Sequence, residues 1–234
     1  MGALVIIPAR GGSKGIPKKN VRDFCGKPLI AWTIEHALAA DCTERVIVST
    51  DCPEIAEISV QYGADVPFMR PEPISGDTAS TESALVHCVE WLESSGYSLP
   101  SHTVLMQATS PVRRNGSLDR AYKQLQSSGA DSLLTVCEFW HFLWRQTEGG
   151  MVAGYDHMNR PRRQDILSED VKLKENGSFY IFDTLGFKRT RNRLFGRIDA
   201  FIMDEYESLE IDTLLDWRLC EAAQDFMDEL DNES

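Results

Sequence analysis

Nothing in this 234-residue sequence approaches the ~20 consecutive apolar residues that a membrane-spanning helix needs. The opening apolar run, Leu4 to Ile7, is short and soon meets Arg10, so it does not resemble a secretory leader either. The six cysteines (Cys25, Cys42, Cys52, Cys88, Cys137 and Cys220) form no C-x-x-C pair and no metal-ligand spacing. This argues against zinc modules and disulfide frameworks and for buried or incidental thiols in a reducing compartment. Positive charge is also scarce: 24 Lys and Arg stand against 36 Asp and Glu, a formal net charge of -12. That balance disfavours broad binding to nucleic acid or to an acidic membrane. The expectation is a soluble, cytoplasmic chain with no nucleic-acid or membrane partner.

Familiar nucleotide motifs are missing too. The glycines of the first loop, Gly11, Gly12 and Gly15, do not fit G-x-G-x-x-G, and no G-x-x-x-x-G-K-[ST] occurs. A nicotinamide dehydrogenase therefore fails on glycine spacing.

What is present alternates. Apolar, β-rich runs recur at residues 4–7, 46–49, 66–69, 103–106, 132–136, 178–182 and 198–203. Between them lie helical faces: Leu29, Ile34, Ala37 and Leu38; Leu85, Cys88, Val89 and Leu92; Leu118, Ala121, Tyr122 and Leu125. Residues 212–227 read as a closing helix, and the acidic tail, 228–234, as a frayed end. Such alternation predicts an α/β fold with a mainly parallel sheet flanked by helices. Ligands of such folds sit at the carboxyl ends of the strands. The rhythm breaks over residues 138–175, which are rich in aromatics and then arginines. That is too long for an ordinary connection and reads as an arm or a small subdomain.

Against the acidic background one loop is basic: A-R-G-G-S-K-G-I-P-K-K-N, residues 9–20. Glycines let backbone N–H groups approach and face phosphate oxygens. Ser13 adds a hydroxyl, and Arg10, Lys14, Lys18 and Lys19 add charge. The loop reads either as a polyphosphate cradle or as a solvated basic turn.

Further blocks follow in order: V-S-T-D (48–51), R-P (70–71), D-T-A-S-T (77–81), Q-A-T-S-P (107–111), R-P-R-R-Q-D (160–165), E-N-G-S-F-Y (175–180) and S-L-E-I-D-T (208–213). With the loop, this series resembles the CMP-sialic acid synthetases (N-acylneuraminate cytidylyltransferases) along essentially the whole chain. The resemblance implies a Rossmann-like nucleotidyltransferase fold. It implies a reaction in which CTP and a nonulosonic acid give a CMP-sugar and pyrophosphate. Near alternatives are a cytidylyltransferase for Kdo or a modified nonulosonate, and a non-catalytic nucleotide-binding protein of the same fold.

Residue by residue, the resemblance assigns Arg10, Gly11, Gly12, Ser13, Lys14 and Lys19 to the triphosphate, with Lys14 neutralising the leaving pyrophosphate. It assigns Asn20, Arg70 and Thr81 to the nucleotide, and Gln107 and Thr109 to the sugar. Plainer readings stand beside these: Asn20 as a turn residue, Arg70 as a surface charge, and Gln107 and Thr109 as a strand-to-loop turn. Glu210 and Asp212 lie two apart, so an extended segment points both the same way. Their hard oxygens suit Mg²⁺, and Asp212 is equally suited to capping the closing helix. The resemblance further implies a homodimer. Its protruding dimerisation arm, residues 138–175, would carry Arg163 and Gln164 to the partner's site, with residues 1–137 and 176–234 forming the main domain. Arg145 is a candidate replacement for an arm lysine of the family, and Phe195 for the aromatic wall of the sugar pocket.

Overall fold

In the computed structural model, which describes residues 2–166 and 171–232, strands and helices alternate as expected. Residues 167–170 of the arm and 233–234 of the tail lie outside the described residues. β1 (Ala3–Pro8) leads through the basic loop to a small hairpin, β2 (Asp23–Phe24) and β3 (Lys27–Pro28). Then come α1 (Leu29–Leu38), β4 (Thr43–Ser49), α2 (Pro53–Gln61), α3 (Thr81–Ser94), β5 (His102–Met106), α4 (Ser117–Ser128) and β6 (Ser132–Phe139). A second hairpin, β7 (Trp144–Thr147) and β8 (Gly150–Ala153), precedes β9 (Lys172–Asp183), α5 (Thr184–Thr190), β10 (Ile198–Ile202) and α6 (Leu214–Asn232).

Six strands form one sheet in the order β10-β6-β9-β5-β1-β4. All pairings are parallel except those of β9, which runs against both β5 and β6. β1 is buried on both faces, which is why its sequence is continuously apolar rather than alternating. Ala3, Val5 and Ile7 pack with Ile30 and Ile34 of α1 and Leu125 of α4. Leu4 and Ile6 pack on the other face with Leu85, Cys88 and Val89 of α3. A third cluster, including Ile16, Phe24, Ile211 and Trp217, seats α6 beside the basic loop. No helix among the described residues is long and apolar enough to cross a membrane.

Several expectations need correction. Residues 66–69 form no strand; only isolated bridges join Asp65 to Ile47 and Met69 to Thr50. Pro67, between them, has no N–H to give a ladder. Leu38 is not on the buried face of α1 but is 46% exposed, the last residue of the helix, lying over Gly63. α6 continues to Asn232, so the described part of the acidic tail is helical. Gln224 there donates to Asp228 (2.9 Å) and Met227 is buried. Helices α2 and α5 were not anticipated.

The antiparallel direction of β9 matters most for function. Its final residue, Asp183, pairs with His102 at the start of β5, whereas Phe179 pairs with Met106 at the end. Asn176, Gly177 and Ser178 are therefore delivered to the carboxyl end of the sheet. The two ends of the 138–175 segment continue β6 and β9 as a pair, as far as Phe139 opposite Lys172. Beyond that lie the β7–β8 hairpin and a 3-10 turn at Arg163–Asp165.

Ile6→Ala tests the central place of β1. Fully buried in mid-sheet, this residue should cost about 2–5 kcal/mol in urea unfolding when truncated. A loss below about 1 kcal/mol would mean that the core is organised elsewhere.

Candidate active site

A cleft of about 330 Å³ opens at the carboxyl ends of β1 and β5. It gathers Arg10, Gly12, Ser13, Lys19, Asn20, Arg70, Thr81, Gln107, Thr109, Glu210 and Asp212. These come from five separate parts of the chain.

The loop after β1 is held from below and from the side. The Gly11 N–H donates to Asp51 Oδ1 (2.9 Å), and a Cβ at Gly11 would lie 2.9 Å from the Cβ of Cys52. Asn20 is buried and donates its amide to the Arg10 carbonyl (3.1 Å), so it braces the turn. Ile16 is fully buried and pegs the loop to the third cluster. A Cβ at Gly15 would lie 2.2 Å from the Asp212 carbonyl oxygen, so only glycine permits this contact. Gly12 has no atom within 4 Å of its Cβ position, so its cleft-facing side is open to a close ligand. Lys19 donates to the Ile211 carbonyl (2.5 Å) and lies 3.3 Å from Asp212 Oδ1.

The remaining loop cations behave differently. Arg10 and Lys14 both reach Asp77, at 2.9 and 2.7 Å. Lys18, expected to supply charge, instead takes a left-handed backbone conformation and pairs with Glu54 (2.8 Å), outside the cleft lining. Arg70 is not a surface charge. Its side chain is buried 3.8 Å from Asp51, and burial holds its pKa below the ordinary value against the opposing pull of Asp51. Its Nε has no hydrogen-bond partner among the described residues.

On the opposite wall, the Gln107 side-chain amide donates to the Gly177 carbonyl (2.7 Å). A carbonyl only accepts, so the Gln107 Oε1 is left as an acceptor. Gly177 has φ +70°, and a Cβ there would lie 2.4 Å from Gln107 Nε2. Thr109 donates its hydroxyl to Glu210 Oε1 (2.9 Å), and its carbonyl accepts from the Ile211 N–H (2.8 Å). Ile211 is buried while Glu210 and Asp212, either side of it, both line the cleft. Burial, then the charge of Asp212, push the Glu210 carboxyl above its usual range, against the pull of Thr109 and Lys19.

Asp212 does not cap α6. The cap is Thr213: its hydroxyl accepts from the Asp216 N–H (3.3 Å), and Asp216 Oδ2 accepts from the Thr213 N–H (2.7 Å). This reciprocal capping box leaves the Asp212 carboxylate to the cleft. Among the described residues no group of three or more His, Cys, Asp or Glu is placed to hold a metal. A cation here would have Glu210 and Asp212 and would take its remaining ligands from solvent or substrate.

Arg163 and Gln164 do not line the cleft of their own chain; the Arg163 guanidinium stands over the Trp140 ring (4.7 Å to the centroid). Arg145 is exposed on the β7–β8 hairpin. Phe195 is not a pocket wall. It packs with the α3-side core, against Gly186 of α5, because antiparallel β9 carries the chain to the far end of the sheet before this residue. Phe179 and Tyr180 are likewise core residues.

Three site residues had no role assigned from sequence. Asp51 closes V-S-T-D and anchors Gly11; its place at the end of β4 was the available signal. Gly177, within E-N-G-S-F-Y, gives Gln107 its seat. Arg113 is fully buried and donates to Ser178 Oγ (2.7 Å), Ser178 O (2.9 Å), Thr33 Oγ1 (3.0 Å) and Gln107 O (2.7 Å). Burial pulls its pKa down to about 9, with Glu207 opposing. It ties β9 and α1 to the end of β5. An arginine two residues after a proline carries no local sign of such burial.

Comparison with known proteins shows the family and the fold. A family model described as cytidylyltransferase matches residues 4–165. The pseudaminic acid cytidylyltransferase of Campylobacter jejuni subsp. jejuni serotype O:23/36 is 32% identical over 217 residues, covering 91% of this chain and 92% of that protein. The N-acylneuraminate cytidylyltransferase of Oncorhynchus mykiss is 36% identical over 225 residues, covering 92% of this chain and 49% of that longer protein. Among solved structures, a CMP:2-keto-3-deoxy-manno-octonic acid synthetase complexed with CTP superposes with a TM-score of 0.69 at 19% identity, covering 95% of this chain and 98% of its own. At that identity it speaks for the fold.

The cap assignment is testable. Thr213→Ala should lower the unfolding free energy by about 1 kcal/mol, while Asp212→Ala should leave the urea midpoint unchanged. The reverse pattern would return Asp212 to a structural role.

Proposed function

This chain belongs to the cytidylyltransferase family, and we propose that it couples CTP to the anomeric hydroxyl of a nonulosonic acid, giving a CMP-sugar and pyrophosphate. The observation that carries this reading is the meeting, in one cleft, of the basic glycine loop, the polar pair at the end of β5 and the carboxylates before α6. The names of the relatives supply the acid class: pseudaminic acid in one, N-acylneuraminate in another.

Phosphoryl transfer of this kind depends on positioning and on charge stabilisation. In the proposed arrangement Gly12, Ser13, Arg10 and Lys19 hold the β- and γ-phosphates. Lys14, outside the cleft lining but paired with Asp77 on its wall, neutralises the charge that gathers on pyrophosphate as it leaves. Asn20, Arg70 and Thr81 face the nucleoside and its α-phosphate, with the buried Arg70 the stronger for its low-dielectric setting. Gln107 Oε1 accepts from a sugar hydroxyl or the N-acyl N–H, and Thr109 lies beside it. The sugar hydroxyl attacks the α-phosphorus and releases its proton to solvent, the bond from phosphorus to the α,β-bridging oxygen breaks, and that oxygen leaves with pyrophosphate.

Mg²⁺ fits Glu210 and Asp212. Both offer hard oxygens on one side of an extended segment, and Mg²⁺ commonly takes one or two carboxylates and completes its shell with water and phosphate. When bound it supplies charge neutralisation for phosphate oxygens.

We assign the enzyme to a homodimer that exchanges arms, in a reducing, cytoplasmic setting in keeping with its six free thiols. Support comes from the concentration of exposed apolar residues on the arm: Leu143, Trp144, Met151, Val152 and Met158. Such a patch calls for a partner surface. Two-fold symmetry would then bring Arg163 and Gln164 to the other subunit's cleft.

The activity test follows pyrophosphate release from CTP with sialic, pseudaminic and deaminated sialic acids and Kdo, with and without Mg²⁺. Release should need Mg²⁺ and a nonulosonic acid, and Asp212→Asn should need more Mg²⁺. Equal use of ATP or GTP, or CTP binding with no release on any acid, would overturn the reading. The exchange test mixes Arg10→Ala with Arg163→Ala subunits, each nearly inactive alone. Random reassembly should restore roughly a quarter of wild-type activity, from the one intact site in each hybrid. No recovery after demonstrated subunit exchange would place Arg163 in its own chain's function or in none.

A further inference from the structure

One charged group at the cleft has no part in the scheme above. Asp77 lies between the 3-10 turn Glu72–Ile74 and α3, and its side chain lines the same cleft as the glycine loop. It gives one carboxylate oxygen to each of two loop cations: Oδ1 to Arg10 Nη1 (2.9 Å) and Oδ2 to Lys14 Nζ (2.7 Å). Arg10 also donates to the carbonyl of Gly76 next door (3.2 Å). The carboxylate thus spans Arg10 and Lys14 as a phosphate group would.

We propose that Asp77 is a built-in counter-charge for the triphosphate site, displaced by the β,γ-diphosphate of CTP and restored as pyrophosphate leaves. It sets how tightly the site holds ligands bearing a diphosphate, without affecting those that lack one. The proposal rests on the reading of Arg10 and Lys14 as triphosphate ligands.

Other charge pairs of the cleft are built differently. Asp51 also anchors the Gly11 N–H, so moving it would disturb the loop itself, and Asp212 pairs with Lys19, whose ammonium is held as well by the Ile211 carbonyl. Among the described residues the Asp77 carboxylate has only Arg10 and Lys14 as partners. Its side chain is 48% exposed, and Gly76 before it has open space at its Cβ position. It can turn to water and recover its hydration as phosphate takes its place. Lys14 above all, then Arg10, hold its carboxyl below the usual range, so it is charged at neutral pH.

The consequence has a definite sign. A ligand that reaches Arg10 and Lys14 must first break their contacts with Asp77, so removing the carboxylate strengthens such ligands. Exposed ion pairs are individually weak, so the gain is about three- to ten-fold. CMP, with its single phosphate on the nucleoside side, does not reach this pair and gains nothing.

The experiment measures binding of CTP, CMP and inorganic pyrophosphate, each with Mg²⁺, by calorimetry on wild type, Asp77→Asn, Asp77→Ser and Arg10→Ala. Both Asp77 variants should bind CTP and pyrophosphate about three- to ten-fold more tightly and CMP as wild type does. Raising the salt should shrink the difference. If Arg10→Ala weakens CTP while the Asp77 variants bind it no better, or worse, Asp77 is a ligand or a brace and the proposal falls alone. An equal gain for CMP also overturns it, since that is a general field effect. If Arg10→Ala leaves CTP binding intact, the cradle reading itself fails and takes the proposal with it.

Discussion

The cleft depends on a contact that leaves no room for a side chain. At position 15 the backbone of the basic loop lies against the carbonyl of Asp212, and a Cβ there would approach to 2.2 Å. This touch joins parts of the chain almost two hundred residues apart (about 197 by residue number). Lys19 reinforces it by donating to the Ile211 carbonyl, and Ile211 in turn donates to Thr109 at the end of β5. Loop cations, carboxylates and the polar pair are thereby fixed around one space. Transfer chemistry that works by positioning requires such fixing.

An acidic chain can carry this basic loop because a bound ligand responds to nearby charge more than to distant charge. Salt screens exposed charges beyond roughly 8–10 Å, whereas loop N–H groups and ammonium groups act at contact. Two arginines show the difference between scaffold and site. Arg113 is fully buried, and its donors go to fixed hydroxyls and carbonyls of α1, β5 and β9. Arg10 stands at the surface, and its side-chain partners come from the loop before α3, chief among them the half-exposed Asp77. The first holds the walls together; the second keeps an exposed face that, in the proposed reading, meets phosphate.

Much of this was legible in the sequence, for identifiable reasons. The apolar run of β1, the helical faces of α3 and α4 and the glycine-basic loop are local patterns, and the structure keeps each one. Gln107 and Thr109 could be placed because strand ends in such folds converge, and Glu210 and Asp212 because their spacing and the block S-L-E-I-D-T match the family's pattern. Tertiary choices were not legible. The Phe179–Phe182 run of antiparallel β9 is as apolar as its parallel neighbours, yet the strand's direction decides that Gly177 reaches Gln107 on the cleft wall and Phe195 does not. Lys18 looks like its neighbours but is turned away to Glu54 by a left-handed backbone. The burial of Arg113 is decided by packing from three elements, none adjacent to it in sequence except the end of β5.

The central claim is that the loop after β1 holds the triphosphate of CTP. A crystal structure of the chain with CTP and Mg²⁺ tests it most directly. The account predicts phosphate oxygens at hydrogen-bond distance from the Gly12 and Ser13 N–H groups and from Arg10, with the metal on Asp212. A nucleotide bound elsewhere, or in this cleft with its phosphates turned away from residues 10–19, would contradict it.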